Sequence, residues 1–155
     1  MFKTIIAVLS LLPVIVAAET LKIDDAWARA TIPGTENGAA YATLKNLKDA
    51  PVEITRISSD VTKVAEIHRH TMSGDVMKME EVKSLSIAPG ETIKFQPGGY
   101  HFMLFGLKSP LEAKESFSLT LHFQSGSKQT VQFLVKKRRT RHLIGKVMYK
   151  KTLAL

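Results

Sequence analysis

The sequence predicts an all-β chain, a β-sandwich or barrel of about nine short strands, and three observations predict it. From Leu21 onward apolar residues recur with a period near two, not the helical 3.6. Turn chemistry punctuates the runs at Pro33-Gly34, Asn37-Gly38, Ser73-Gly74-Asp75, Pro89-Gly90, Pro97-Gly98-Gly99 and Ser125-Gly126. No stretch before residue 136 carries a helical stripe, and there is no internal repeat or low-complexity linker.

Residues 1–18 read as a signal peptide: Lys3 supplies the positive start and Ile5 to Val16 is apolar except for Ser10 and Pro13. Val16 and Ala18 are small enough for the peptidase sites, so the mature chain is expected to begin at Glu19. The apolar run falls short of the roughly 20 residues that span a bilayer, and an uncleaved anchor is the competing reading. Either way residues 19–135 are expected outside the cytoplasm, in the periplasm. Leu21, Ile23 and Trp27 begin the first strand-like run. Ala40, Ala42 and Leu44 alternate with Tyr41, Thr43 and Lys45, and Val52, Ile54 and Ile57 come next. Val64–Met72 and Val76–Val82 flank the Ser73-Gly74-Asp75 turn as a hairpin. Short pieces around Ile87 and Ile93–Phe95, then His101–Leu107, Phe117–Phe123 and Thr130–Val135, complete the count.

Charge and composition exclude several function classes. The chain has 155 residues and a net charge of +8, but eight of its 22 bases and none of its 14 acids lie in residues 136–155. Without Lys3 and that tail, residues 19–135 hold 13 bases against 14 acids, so the folded part is nearly neutral. A nucleic-acid-binding domain spreads basic charge over a folded face, and this one does not. The tail reads as an open, solvated basic segment. The competing reading sets Leu143, Ile144, Val147 and Leu153 on one side of a short helix with weak contact to anionic membrane. The absence of cysteine removes disulfides, Cys-based zinc, iron–sulfur and blue-copper sites, and a Cys nucleophile. Asp24-Asp25 and Glu80-Glu81 are strand neighbours pointing to opposite faces, a poor acid/base pair, so no enzyme is expected.

Metal-capable side chains concentrate in two segments. Glu66-Ile67-His68-Arg69-His70-Thr71-Met72 leads through a turn to Met77-Lys78-Met79, and Tyr100-His101-Phe102-Met103 is the second. Side chains two apart on a strand share a face, about 6.6–7 Å apart. His101 and Met103 therefore point one way, with Phe102 and Leu104 pointing into a core. His68, His70 and Met72 share one face, and Met77 and Met79 form a further pair. A single strand methionine is more often core filler, and a single histidine a surface group. Here both types are paired on common faces. Thioether sulfur is soft and neutral, which favours Cu(I) over Zn(II), Ca(II) or Mg(II). Two imidazoles and two thioethers leave Cu(I) with its positive charge and no compensating anion, a site suited to release by ligand exchange.

The spacing His68-x10-Met79-x21-His101-x-Met103 resembles that of the PCu(A)C periplasmic copper chaperones. Ala26-Trp27-Ala28-Arg29-Ala30-Thr31, Gly38-Ala39-Ala40-Tyr41, Thr71-Met72-Ser73-Gly74, Val76-Met77-Lys78-Met79 and Pro97-Gly98-Gly99-Tyr100-His101-Phe102-Met103 carry the resemblance further, over Lys22 to Val135. It implies a cupredoxin-like (Greek-key) β-sandwich that binds Cu(I) through His68, Met79, His101 and Met103. It also implies delivery of copper to the binuclear centre of cytochrome c oxidase, with subunit II or an assembly factor as acceptor. A monomer with a shallow, exposed site is expected. His70, Met72 and Met77 are auxiliary candidates, since strand alternation does not separate His70 or Met72 from His68. A His- and Met-rich C-terminal extension, which some members carry, is replaced here by a basic one with only His142 and Met148. The competing functions are a copper-storing, resistance or sensing protein with the same ligands, and a metal-free β-sandwich interaction module.

Overall fold

The computed structural model describes residues 20–137; the expected signal peptide and nearly all of the basic tail lie outside them. Within these residues ten strands and no helix form. They are β1 (Leu21–Arg29), β2 (Asn37–Asn46), β3 (Val52–Ser59), β4 (Thr62–Ser73), β5 (Val76–Glu81), β6 (Leu85–Ile87), β7 (Thr92–Lys94), β8 (Tyr100–Leu107), β9 (Ser116–Phe123) and β10 (Lys128–Lys136). They join one sheet in the order β5-β4-β8-β2-β1-β10-β9-β3-β6, with β7 on β2. All pairs are antiparallel except β1 with β10.

The sheet folds over on itself, bringing the apolar faces of its two halves together. Phe102 on β8 meets Phe133 on β10 edge-on, with ring centroids 5.7 Å apart. Phe95 stacks on Phe102 at 4.2 Å, and Phe117 lies 5.7 Å from Phe133. Leu44, Ile54, Ile67, Ile87, Leu104, Leu119 and Leu121 fill the space around this aromatic file. The fold brings β3 beside β4, although the two stand near opposite ends of the sheet order. The result is the expected sandwich.

Three local expectations are corrected. The period-two reading of β1 breaks at a bulge between Asp24 and Trp27, where Asp25 takes φ 51°. A bulge shifts the alternation by one, so Leu21 and Ala28 are buried while Trp27 is only half-buried, its ring tilted against Tyr41 with centroids 4.6 Å apart. A second bulge between Ile54 and Arg56 lets Ile54 and Ile57, three apart, both face the core. Asn37-Gly38 is not a turn but the start of β2. A Cβ on Gly38 would lie 3.3–3.7 Å from methyls of Leu111, Leu107 and Leu104, so the glycine serves close packing there. The core also holds a polar group that its pattern does not announce. Asn46 is fully buried, its amide donating to the Ala50 and Ile87 carbonyls and its Oδ1 accepting from Lys48 N–H.

On the far side of the sandwich, His122 of β9 accepts from Arg56 at Nδ1 (3.2 Å) and reaches Ser58 Oγ from Nε2 (2.8 Å). Burial, then the Arg56 and Lys128 charges, hold its pKa below the usual imidazole range. The folded state thus binds the proton less readily than the unfolded one. Stability from this residue is present above about pH 6.5 and is lost as pH falls through the lower folded value. His122→Gln is expected to show a shallower fall in urea midpoint between neutral and mildly acid pH than the parent. An equal slope in both would refute the assignment.

Candidate metal centre

The β4–β5 hairpin closes on Gly74-Asp75, with Ser73 opposite Val76 and Gly74 at φ 62°, a conformation open to glycine. β8 lies on the other side of β4. Strand alternation then sorts the side chains. Ile67, Phe102 and Leu104 enter the core, at 5%, 1% and 0% exposure. His68, His70, Met72, Met77, Met79, His101 and Met103 all fall on the opposite, outer face, as directly opposed residues in a ladder point the same way.

The register arranges these donors in rows. Met72 opposes Met77, His70 opposes Met79, His68 stands between Glu81 and His101, and Glu66 opposes Met103. The His101 ring lies between two others, 5.9 Å from His68 and 5.1 Å from His70. Met79 is thus level with His70 and one row from His68, a detail that alternation alone does not give. The expectation of a wholly shallow, exposed site is also corrected. His101 is 4% exposed, covered by its flanking imidazoles, whereas Met79 is 50% exposed. Met103 is half-buried and borders an open hollow of about 360 Å³ lined by Arg29, Thr31, Thr35 and Asn37.

Hydrogen bonds set which ring nitrogen each histidine presents. The Gly99 carbonyl accepts from His101 Nδ1 at 3.1 Å, leaving Nε2 with a free lone pair. The same carbonyl lies 3.4 Å from His70 Nδ1. Glu66 Oε2 accepts from His68 Nε2 at 2.8 Å, and His68 Nδ1 is buried without a hydrogen-bond partner. A buried, unpartnered imidazole nitrogen costs free energy unless something coordinates it. Burial is the main force lowering the His101 pKa, with His70 and His68 acting in the same direction against the Gly99 hydrogen bond. The ring is accordingly neutral near pH 7, the form that binds metals.

Glu66 is a further functional candidate, one that the spacing of histidines and methionines leaves out. Its signal is nonetheless present in the sequence: a carboxylate two residues before a strand histidine shares that histidine's face. It also corrects the expected absence of a nearby anion. Glu80 and Glu81 stand on opposite faces as expected, Glu80 reaching Arg69 at 3.5 Å and Glu81 facing His68 in register. Among the described residues no three His, Asp or Glu side chains group closely enough to hold a metal ion.

The chain matches the family model LpqE-like over residues 21–135. Lxx21020 of Leifsonia xyli subsp. xyli, named as a lipoprotein, is 33% identical over 120 residues, covering 77% of this chain and 71% of its own. RP573 of Rickettsia prowazekii is 33% identical over 113 residues; these are 70% of this chain and 62% of that relative, so the chain spans less than two thirds of it. Among solved structures, Cu(I)-bound DR1885 from Deinococcus radiodurans superposes with a TM-score of 0.63 at 31% identity, over 79% of this chain and 83% of that one. The copper-bound PCuAC domain of PmoF2 gives a TM-score of 0.67 at 20% identity, over 79% and 97%, a likeness of fold. By the extent of the family match and the shared sandwich, this chain belongs to the LpqE-like family, that of the PCuAC domains.

Proposed function

We propose that the protein is a non-enzymatic Cu(I) carrier, binding one ion through His68, Met79, His101 and Met103. The observation that carries this reading is the buried, unpartnered Nδ1 of His68 on the face that also bears the His101 imidazole and the thioethers. Neutral nitrogen and thioether donors suit Cu(I), which tolerates low coordination and soft ligands. The Cu(I) form of DR1885 and the copper-bound PmoF2 domain support copper as the cargo. Exposed Met79 at one margin and buried His101 at the other suit a site that holds the ion yet exchanges a ligand with an acceptor. Residues 1–18 direct export to the periplasm, where the acceptor is the binuclear copper centre of cytochrome c oxidase, reached through subunit II or an assembly factor.

X-ray absorption on the Cu(I)-loaded protein tests the ligand set. Both nitrogen and sulfur neighbours are expected. A first shell of nitrogen and oxygen alone would remove both methionines and the carrier mechanism with them. Storage differs from delivery in the next step: a carrier passes Cu(I) to the copper-free soluble domain of subunit II, and a storage protein retains it.

Glu66 acts here as a positioning residue. Its hydrogen bond fixes the His68 tautomer with Nδ1 free and raises the basicity of the ring. Outer partners of this kind typically contribute 10–100-fold to metal affinity. Glu66→Ala is expected to weaken Cu(I) by about that factor, with Glu66→Gln recovering part of it by accepting the same hydrogen bond. Anaerobic competition titration measures both, and unchanged affinity in Glu66→Ala would disprove the role.

A further inference from the structure

The four-residue site leaves the tip of the β4–β5 hairpin unused, and that tip carries the most exposed soft donors of the described residues. Met72, Met77 and Met79 are 65%, 60% and 50% exposed, so they are not core filler. Met72 and Met77 oppose each other directly, in the row beyond His70 and Met79, and all four side chains project from one face. Directly opposed strand residues have Cα atoms about 4.5–5.5 Å apart, and successive rows are about 6.6–7 Å apart. Two thioethers and an imidazole are therefore within side-chain reach of one ion. His70 is not needed by the inner set, and with Nδ1 turned to Gly99 its Nε2 is the nitrogen left to coordinate. Its ring stands 5.1 Å from that of His101, which joins the tip to the inner site.

We propose that Met72, Met77 and His70 form a second, outer Cu(I) site that loads and unloads the inner one through Met79. This rests on the protein's being a Cu(I) carrier. The transfer is ligand exchange only: bonds to Met72 and Met77 break as a bond to Met79 forms, and the bond to His70 breaks as bonds to the inner imidazoles form. Copper remains Cu(I), because thioether and imidazole donors bind through lone pairs and no electron is exchanged. The outer site is weaker, since its two thioethers are solvent-exposed and loosely held, and that gradient draws the ion inward.

Ag(I), a redox-stable soft cation, titrated into protein carrying ¹³C-methyl methionine tests the proposal by NMR. The first equivalent is expected to shift the Met79 and Met103 methyls, and the second those of Met72 and Met77. The double variant Met72→Leu, Met77→Leu conserves volume at exposed positions and leaves the fold intact. It should weaken the second equivalent by about tenfold or more, leave the first unchanged and slow Cu(I) release to a competing chelator. His70→Ala should also weaken the second equivalent. If Met72 and Met77 remain unshifted through two equivalents, or the double variant binds the second as tightly as the parent, the outer site is overturned and the tip is an apolar docking face only. Absence of first-equivalent shifts at Met79 and Met103 refutes the inner site instead, a separate failure read from different methyls.

Discussion

Met103→Ala is expected to weaken Cu(I) binding by more than about 100-fold, beyond what loss of an outer partner costs, while Zn(II) binding changes far less. The asymmetry follows from ligand softness. Zn(II) gains little from a neutral thioether, so removing it takes away chiefly the preference for Cu(I). His101→Ala should instead weaken both ions, because imidazole suits either and because this ring is buried between His68 and His70 with its Nε2 lone pair set by Gly99. Competition titrations of the two variants, with Cu(I) under anaerobic conditions and with Zn(II), give a two-by-two comparison. Equal losses of both ions in Met103→Ala would mean that the methionine supports the site sterically rather than as a ligand. The half-buried position of Met103, directly opposite Glu66 on one strand and Ala39 on another, gives the truncated side chain no neighbouring sulfur in its own row. Met79 is less constrained at the exposed edge, and Met77 on the same strand face offers a nearby substitute. Met79→Ala is therefore the milder change.

What alternation governs was legible in the sequence. The outward placement of His101 and Met103, the inward placement of Phe102 and Leu104, and the hairpin at Ser73-Gly74-Asp75 each depend on nearest-neighbour geometry, which residue type and spacing specify. Register across strands depends on which strands meet. The two-residue turn of the hairpin sets His70 rather than His68 opposite Met79, whereas the pairing of β8 with β4 is set by packing between segments about 30 residues apart. The bulges at Asp24–Trp27 and Ile54–Arg56 were hidden for a related reason. An inserted residue leaves composition untouched and only reverses the parity of the residues after it, so Trp27 and Ile57 were readable as strand residues but not by face. Asn37-Gly38 misled because the same dipeptide serves a tight turn or, as here, a close approach of leucine side chains.

Phe102→Ala is expected to cost about 3–5 kcal/mol of stability, the usual range for truncating a buried phenylalanine. In a domain of this size that lowers Tm by roughly 10–20 °C. Phe102 is 1% exposed and joins the two halves of the sandwich, stacked on Phe95 at 4.2 Å and edge-on to Phe133 at 5.7 Å. The cavity would open directly beneath the site, for residues 101 and 103 flank it on β8 and face outward. With the proposed ligand set, bound Cu(I) would restrain those two residues from the other side of the strand. A ligand present at about 100 times its Kd stabilises the native state by about 2.7 kcal/mol, so Cu(I) should restore a large part of the lost Tm. Phe117→Ala removes a ring stacked on Phe133 but distant in sequence from the donors, and makes the control. Thermal melts of both variants with and without Cu(I) separate affinity from stability. If the two lose similar stability but only Phe102→Ala also loses Cu(I) affinity, the core ring on β8 fixes the geometry of His101 and Met103. If affinity is intact in both, β8 holds its outward residues through its ladders to β4 and β2 alone.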